Sequence, residues 1–366
     1  LENSYRSFIL QKDKLKVALL GITHPHTSGR VKALQRHKNI EIFGAADHSE
    51  LLEPFCNAMG IAIRSKEDIL NNPDIDIVLV HSKSYEMADL TIAALQAGKA
   101  VLVEKPAGRG VSDTQRIVDA VNKYNSFVQV GYCWRFAPSI NVMHDVIQQG
   151  KIGKVLQIRA HAGCSHNEAE TAHMRQPGDL GGAFFVIGCH LFDRVLHHFG
   201  MPKSVNARIT KFKDFKGEES REDAAGAILN YDDKIVVVDF MSWDVLPWTE
   251  SWDMTAYGTE GIISSRSLPS SYKLYQTGNI EGTTEGWTEW HETSFPEIWA
   301  TKKTEYSPDI AEIGNPIYFD RELSAFLDSY VNGKPSQVPA TQAHNISILL
   351  AALFDSAGKS GVEIFL

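Results

Sequence analysis

Apolar residues fall along this chain in two rhythms. In the first third, short apolar runs of strand length alternate with stretches whose apolar positions recur at helical spacing. The runs Lys14–Leu20, Ile40–Ala46, Ile75–Val80, Ala100–Val103 and Phe127–Val130 predict strands. Between them, Arg30–Arg36, Ser49–Met59, Ser65–Asn71, Tyr85–Ala97 and Ser112–Tyr124 predict helices. Ser65 is placed as an N-cap, and Gly60 and Gly98 stand where helices end. Ile75–Val80 is almost continuously apolar, as a strand buried on both faces must be. Strand and helix in strict alternation with short connections predict a parallel, doubly wound α/β sheet over residues 14–135.

Beyond that point the rhythm changes to period two. Val155–Ala162, Val205–Lys211, Ala224–Leu229, Ile235–Phe240, Trp252–Tyr257 and Gly261–Ser265 predict strands, separated by turns such as Tyr231–Lys234, which supports an antiparallel sheet. Phe184–His198 reads as a helix buried on one face, with His190 and Asp193 one turn apart. Glu281–Pro308 lacks periodicity and reads as a long loop or insertion, whereas Pro316–Asn332 and Thr341–Lys359 read as helices. Two domains follow, 1–135 (with 1–13 an extension) and 136–366.

Charge removes one class of partner. The formal net charge is -9, which leaves no excess of Lys and Arg to neutralise nucleic-acid phosphates. No apolar run reaches the roughly 18 residues of a membrane span, and Leu1–Asp13 lacks a signal-like apolar core. Cys56, Cys133, Cys164 and Cys189 are scattered without metal or disulfide spacing, which suits reduced thiols. A cytoplasmic location is expected.

Candidate chemistry begins at the first strand-to-helix turn, Gly21-Ile22-Thr23-His24-Pro25-His26-Thr27-Ser28-Gly29. Strand, glycine turn and helix are the setting for a phosphate at a helix N-terminus. Of the three fingerprint glycines only Gly21 survives; Thr23 and His26 occupy the other two places. Thr23, Thr27 and Ser28 offer hydroxyls to phosphate oxygens, and an ordinary βα turn without a ligand is the alternative. Asp47 closes the second strand, where a carboxylate accepts from both ribose hydroxyls of NAD and repels the 2'-phosphate of NADP. NAD is therefore expected over NADP. Val101-Leu102-Val103 then leads into Glu104-Lys105-Pro106 at the carboxyl end of a buried strand, where open α/β sheets hold their ligands.

The segments Ala94–Pro106, Val130–Pro138, Gly150–Val155, Gly181-Gly182 with Gly188–Asp193, and the tail residues Glu322, Phe326, Gly333, Pro335 and Ser356 together resemble the Gfo/Idh/MocA oxidoreductases over nearly the whole chain. The resemblance implies an N-terminal Rossmann domain and a C-terminal α/β domain, built on an open, mostly antiparallel sheet, for substrate binding and oligomerisation as a homodimer or homotetramer through that sheet. It also implies a nicotinamide cofactor and a sugar, polyol or similar substrate. Carried over, Lys105 lies near nicotinamide and substrate hydroxyl, and His190 is the acid/base, a pairing that suits alcohol oxidation. The cofactor set is Gly21, Thr23, His24, His26, Asp47, Ser82, Glu104 and Lys105. The substrate set adds Tyr132, Arg135, Arg175 and Val186 to Lys105 and His190. The helix Thr341–Lys359 is expected to pack back near the cofactor domain.

Three departures stand out. Val186 holds the place where many members carry an aspartate, the later glycines of the turn are missing, and Ser82–Met87 replaces a T-P-x-x-x-H type segment. They keep open a ligand-sensing regulator that does not turn over, and a lyase or hydrolase that uses the cofactor transiently. His166, His173 and His190 invite a metal, with Cys164 or Cys189, but match no zinc spacing, so none is expected. Trp243, Trp248, Trp252, Trp287, Trp290 and Trp299 suit either sugar stacking or a subunit interface, with the interface favoured for most.

Overall fold

The structure, a computed structural model, describes residues 14–164, 176–211, 222–242, 252–267, 269–292, 301–304, 307–313 and 316–366. They fall into two compact units. The first comprises the described parts of Leu1–Cys133, Glu168–Asp179 and Ala300–His344; the second those of Trp134–Asn167, Leu180–Trp299 and Asn345–Leu366.

Parallel strands build the first unit: β1 (Leu15–Leu20), β2 (Ile40–Ala46), β3 (Ile77–Val80), β4 (Ala100–Val103) and β5 (Val128–Val130), in the spatial order β2-β1-β3-β4-β5. The interleaved helices are α1 (Thr27–Arg36), α2 (Leu52–Met59), α3 (Lys66–Asn71), α4 (Ser84–Gln96) and α5 (Val111–Tyr124). Every residue of β3 and β4 is buried, so their apolar runs lie between helices on both faces. Outside β2, Ile63 pairs with Ala45 through a single parallel bridge. In the 3-2-1-4-5-6 dinucleotide order a full strand stands there, and the rest of the order is kept. The strand order reverses between β1 and β3, and the crevice beyond their carboxyl ends is therefore the place for a ligand. Ser65 caps α3 in a reciprocal capping box with Asp68, as its position in the sequence predicts.

This unit also includes a two-stranded sheet, β14 (Thr301–Thr304) with β15 (Ser307–Ile313), and the helix α9 (Pro316–Val331). The prediction of a loop over Glu281–Pro308 is thus corrected in part, because β13 (Gly286–His291), β14 and the start of β15 lie within it. Helix α9 lies on α1. A Cβ on Gly29 would stand 2.4 Å from the Phe319 ring, so only glycine allows this approach.

The second unit is organised on a sheet that joins β13 to β6 (Val155–Gly163), β7 (Ser204–Thr210), β8 (Ala224–Asn230), β9 (Ile235–Met241), β10 (Trp252–Gly258), β11 (Gly261–Arg266), β12 (Ser271–Gln276) and β16 (Ile364–Phe365). The spatial order is β13-β12-β11-β10-β6-β9-β8-β7-β16. All neighbours are antiparallel except β6 with β9. Its helices are α6 (Pro138–Gln148), α7 (Ala183–Val186) and α8 (Cys189–Phe199). The single helix predicted over Phe184–His198 is broken into α7 and α8 around Gly188, where a Cβ would stand 2.2 Å from the Phe184 carbonyl oxygen. Trp252 is fully buried and packs at 4.2 Å from Trp134, so it belongs to the core and not to an interface. Trp243, Trp248 and Trp299 lie outside the described residues. Helix α10 (Ala340–Gly358) begins in the first unit, where His344 Nδ1 is 3.2 Å from Thr114 Oγ1, as expected of a helix returning to that domain. Its later turns belong to the second unit, with Phe354 against Gly181 and Phe184 and Ser356 Oγ accepting from the Ala207 N–H.

Candidate active site

In the first unit the glycine turn sits where the strand order reverses. Gly21 has φ +86, and a Cβ there would stand 2.6 Å from Ser82 Cβ, so β1 and β3 end in contact through the one glycine the turn retains. Ser82 is buried and donates its hydroxyl to Glu86. Asp47 closes the turn from β2: one carboxylate oxygen accepts from the Ile22 N–H at 2.7 Å, the other from the Ser49 N–H at 2.7 Å. Each oxygen retains a further acceptor site for a ribose hydroxyl. Thr23 Oγ1 and Ser28 Oγ are buried without a hydrogen-bond partner among the described residues. Buried hydroxyls of this kind are normally satisfied, and a dinucleotide phosphate would supply acceptors for them. The residues present thus fit such a group.

The two missing glycines are replaced by a polar cluster. His26 begins α1 and its Nδ1 lies 2.9 Å from Glu104 Oε1, while His24 Nδ1 stands 3.6 Å from the same oxygen. Arg30 pairs with Glu104 and also donates through Nε to Glu322 Oε2 at 2.7 Å. Burial, and then the neighbouring His26 and Lys105 charges, hold His24 well below the usual histidine range. His81 is lowered likewise, by burial first and Arg30 second. Both imidazoles are neutral at pH 7. Burial raises the Glu322 carboxyl, against the pull of Arg30. Lys105 is buried at the carboxyl end of β4, its N–H donating to Glu104 Oε2 at 3.0 Å, and the Lys105–Pro106 peptide is cis.

The second unit carries the histidine. His190 lies in the first turn of α8, 2 % exposed, with its ring stacked on Trp134 at 4.3 Å between centroids. Val186 ends α7 and is buried. Glu222 fixes the start of α7, accepting from the Gly182 N–H at 2.7 Å and the Phe184 N–H at 3.3 Å. The guanidinium of Arg135 binds Asp193, with Nε donating at 2.9 Å, and a third donor reaches His197 Nδ1 at 2.9 Å. Its donors therefore serve α8. Tyr132 is buried in the first unit, and Arg175, His166 and His173 lie outside the described residues.

Within the first unit the structure brings together Gly21 with Ser82, and His24 and His26 with Glu104, the residue before Lys105. Sequence reasoning missed Arg30, Trp134 and Glu222. Arg30 and Glu322 stand 292 positions apart, a separation at which no local pattern links them.

Comparison with known proteins agrees with this architecture. Residues 15–132 match the family described as oxidoreductase family, NAD-binding Rossmann fold, and residues 140–264 match the GFO/IDH/MocA C-terminal domain. Trans-1,2-dihydrobenzene-1,2-diol dehydrogenase of Xenopus tropicalis is 30% identical over 204 residues, 55% of this chain and 59% of that protein. The scyllo-inositol 2-dehydrogenase (NADP(+)) of Bacillus subtilis (strain 168) is 26% identical over 40% of this chain and 41% of its own length. The chain thus spans little more than half the length of the first of these relatives and less of the second. In fold it resembles levoglucosan dehydrogenase in complex with NADH and levoglucosan, with a TM-score of 0.78 at 18% identity, covering 96% of this chain and 99% of that one. It is similar to the same degree, TM-score 0.78 at 17% identity over 96% of this chain and 100% of the other, to aldose-aldose oxidoreductase from Caulobacter crescentus complexed with glycerol. With both domain matches in chain order, a reversal-point glycine turn and Lys105 at the end of a buried strand, the chain belongs to the Gfo/Idh/MocA oxidoreductase family, whose Rossmann domain binds NAD(P).

Proposed function

We propose that this protein is an NAD-dependent oxidoreductase that transfers a hydride to or from a hydroxyl or keto carbon of a sugar, polyol or related small molecule. The observation that carries this is Lys105, a buried ammonium at the carboxyl end of β4 in the sheet whose reversal-point turn holds Gly21. Gly21, Thr23 and Ser28 would hold the pyrophosphate, and Asp47 would accept from the adenosine ribose. Bound there, the dinucleotide would supply the hydride acceptor or donor for the alcohol carbon. Lys105 stabilises the oxygen as it gains negative charge, and His190 takes the hydroxyl proton during oxidation and gives it back during reduction. The stack on Trp134 fixes the His190 ring, a task that a carboxylate at position 186 would otherwise share.

The preference for NAD rests on Asp47, whose carboxylate would repel a 2'-phosphate. A homo-oligomer built through the second unit's sheet is supported by the apolar side chains on its outer face. Ile228, Ile235 and Met241 are 42%, 41% and 37% exposed there, and Trp287 is 56% exposed. Among the described residues no helix is long and apolar enough to cross a membrane, and a cytoplasmic location is part of the proposal.

The test is direct. Lys105→Ala should abolish turnover on the polyol that the wild type oxidises, yet keep NADH affinity within about tenfold, because its contribution is to the transition state. Wild-type turnover in that variant, or wild-type protein that binds neither NAD(H) nor NADP(H) in calorimetry, sinks the proposal. A sensor without turnover is the second reading, favoured by Val186 in the aspartate's place. Hydride exchange between labelled cofactor and a polyol excludes it.

A further inference from the structure

Three imidazoles meet where the last turn of α8, the helix that carries His190, lies beside α6. His197 and His198 stand in the last turn of α8, and His144 projects from α6 beside them. The His144 and His197 rings stack at 4.1 Å with 13° between planes, and His198 lies 5.5 Å from the first and 5.1 Å from the second. One ring nitrogen from each lies within 4.8 Å of the others. The glycine turn, Lys105 and His190 have no member in this group. It is also distinct from His166, His173 and His190, whose spacing matches no zinc site.

We propose that His144, His197 and His198 form a binding site for a divalent transition metal of the zinc class, with water as the remaining ligand. Nδ1 of His144 and Nδ1 of His198 are 3.4 Å apart. That is long for an N–H hydrogen bond. It matches the edge of a tetrahedron with metal–imidazole bonds of about 2.05 Å, which is roughly 3.3 Å. His198 is buried, and its Nε2 has no hydrogen-bond partner among the described residues. Imidazole nitrogen is a preferred donor for zinc, copper, nickel and cobalt, and a poor one for magnesium or calcium.

Only His198 is fully buried; His144 and His197 are half-buried and leave a path for the ion and its water. Arg135 is the competitor. It donates to His197 Nδ1, and a neutral imidazole has one lone pair, so a cation on either ring nitrogen takes that acceptor from Arg135. Arg135 keeps its bonds to Asp193, which also offset its charge beside the ion.

The experiment uses the full chain, stripped with a chelator and titrated with Zn2+ in calorimetry and with Co2+ in visible spectroscopy. One equivalent should bind at micromolar concentration or below, and Co2+ should show the intense ligand-field bands of four-coordination. His144→Gln with His197→Gln should weaken Zn2+ binding by more than ~100-fold, beyond what loss of an outer-shell partner costs. If that double variant does not fold by circular dichroism, His144→Gln alone, at a half-buried position, decides with at least ~10-fold weakening. No saturable binding by the wild type overturns the proposal. So does one-equivalent binding that survives the substitutions.

Discussion

Nδ1 of His26 lies 2.9 Å from Oε1 of Glu104, which joins the start of α1 to the residue before Lys105. The histidine stands in the place of a fingerprint glycine, and the carboxylate belongs to the Glu-Lys-Pro stretch. A departure of this sequence from its family and a stretch that matches the family are therefore one physical unit. A turn that has lost two glycines gains a side chain tied to the strand end next to it. Arg30 completes the cluster by pairing with Glu104 and Glu322.

The two carboxylates of that cluster should respond differently to neutralisation. Glu104 is met by Arg30, His26 and its own neighbour's N–H, so Glu104→Gln leaves Arg30 without its closest counter-charge and should cost about 3–5 kcal/mol. Glu322 is raised from 4.5 by burial, which means its ionised form is held against a desolvation penalty. A carboxyl raised on folding favours the native state at low pH, and that contribution is lost as pH rises above 4.5. Glu322→Gln should therefore lie within about 1 kcal/mol of wild type at pH 7 and gain on it as pH rises from 4.5. Urea unfolding of both variants at pH 5 and pH 8 measures this; equal losses for the two at pH 8 would sink it.

Gly29 and Phe319 pack too closely for any side chain between them, with the virtual Cβ 2.4 Å from the ring. Gly29→Ala should overpack the α1–α9 contact and destabilise the protein by about 1–3 kcal/mol. Phe319→Leu alone opens a void and is destabilising as well. Combined, they should recover part of the loss, with a coupling of about 0.5–3 kcal/mol. Strictly additive losses in thermal unfolding would show that the contact is not what selects glycine.

The strands of the first unit were legible because burial on both faces leaves little choice of residue: Ile77–Val80 and Ala100–Val103 announce themselves. The glycine turn and Asp47 were legible for a related reason, since their chemistry is local. What escaped has no local signature. Strand β13 is an edge strand with hardly any buried side chain, so Trp287 and Trp290 show no alternation to detect. The break between α7 and α8 is hidden because the apolar face continues through Gly188, and only the Phe184 carbonyl, one turn away, excludes a side chain there. Arg30 and Glu322 meet only when α9 returns to α1.

Asp47 does two jobs, and a single substitution can separate them. Its carboxylate accepts from the Ile22 and Ser49 N–H groups, and its charge is what would exclude a 2'-phosphate. Asp47→Asn keeps one carbonyl acceptor for the turn and removes the charge. The ratio of NADPH to NADH affinity should rise by at least ~10-fold, about 1.4 kcal/mol, while stability falls by no more than about 1–3 kcal/mol. Fluorescence titration with both reduced cofactors reads the ratio. An unchanged ratio would remove Asp47 from cofactor selection.

His81 offers a pH test of the same region. Thr27 donates its hydroxyl to the His24 carbonyl at 2.6 Å, so its oxygen accepts from His81 Nδ1–H at 3.2 Å. His81 Nε2 is then a bare lone pair, buried with no partner among the described residues. Protonating it would place a charge in the interior near Arg30, which is why its pKa is lowered from 6.5. The unfolded chain still takes up that proton near 6.5, so the stability due to neutral His81 is fully present above this value and is lost as pH falls below it. The loss should approach about 1.4 kcal/mol per pH unit for this one group. His81→Asn can keep a donor towards Thr27 without titrating. The variant should be less stable than wild type at pH 8, because a ring is lost from the core, yet its stability should fall less steeply between pH 6.5 and pH 5. Melting curves across that interval compare the slopes, and a variant with the wild-type slope would show that His81 is not among the groups that set the acid limb.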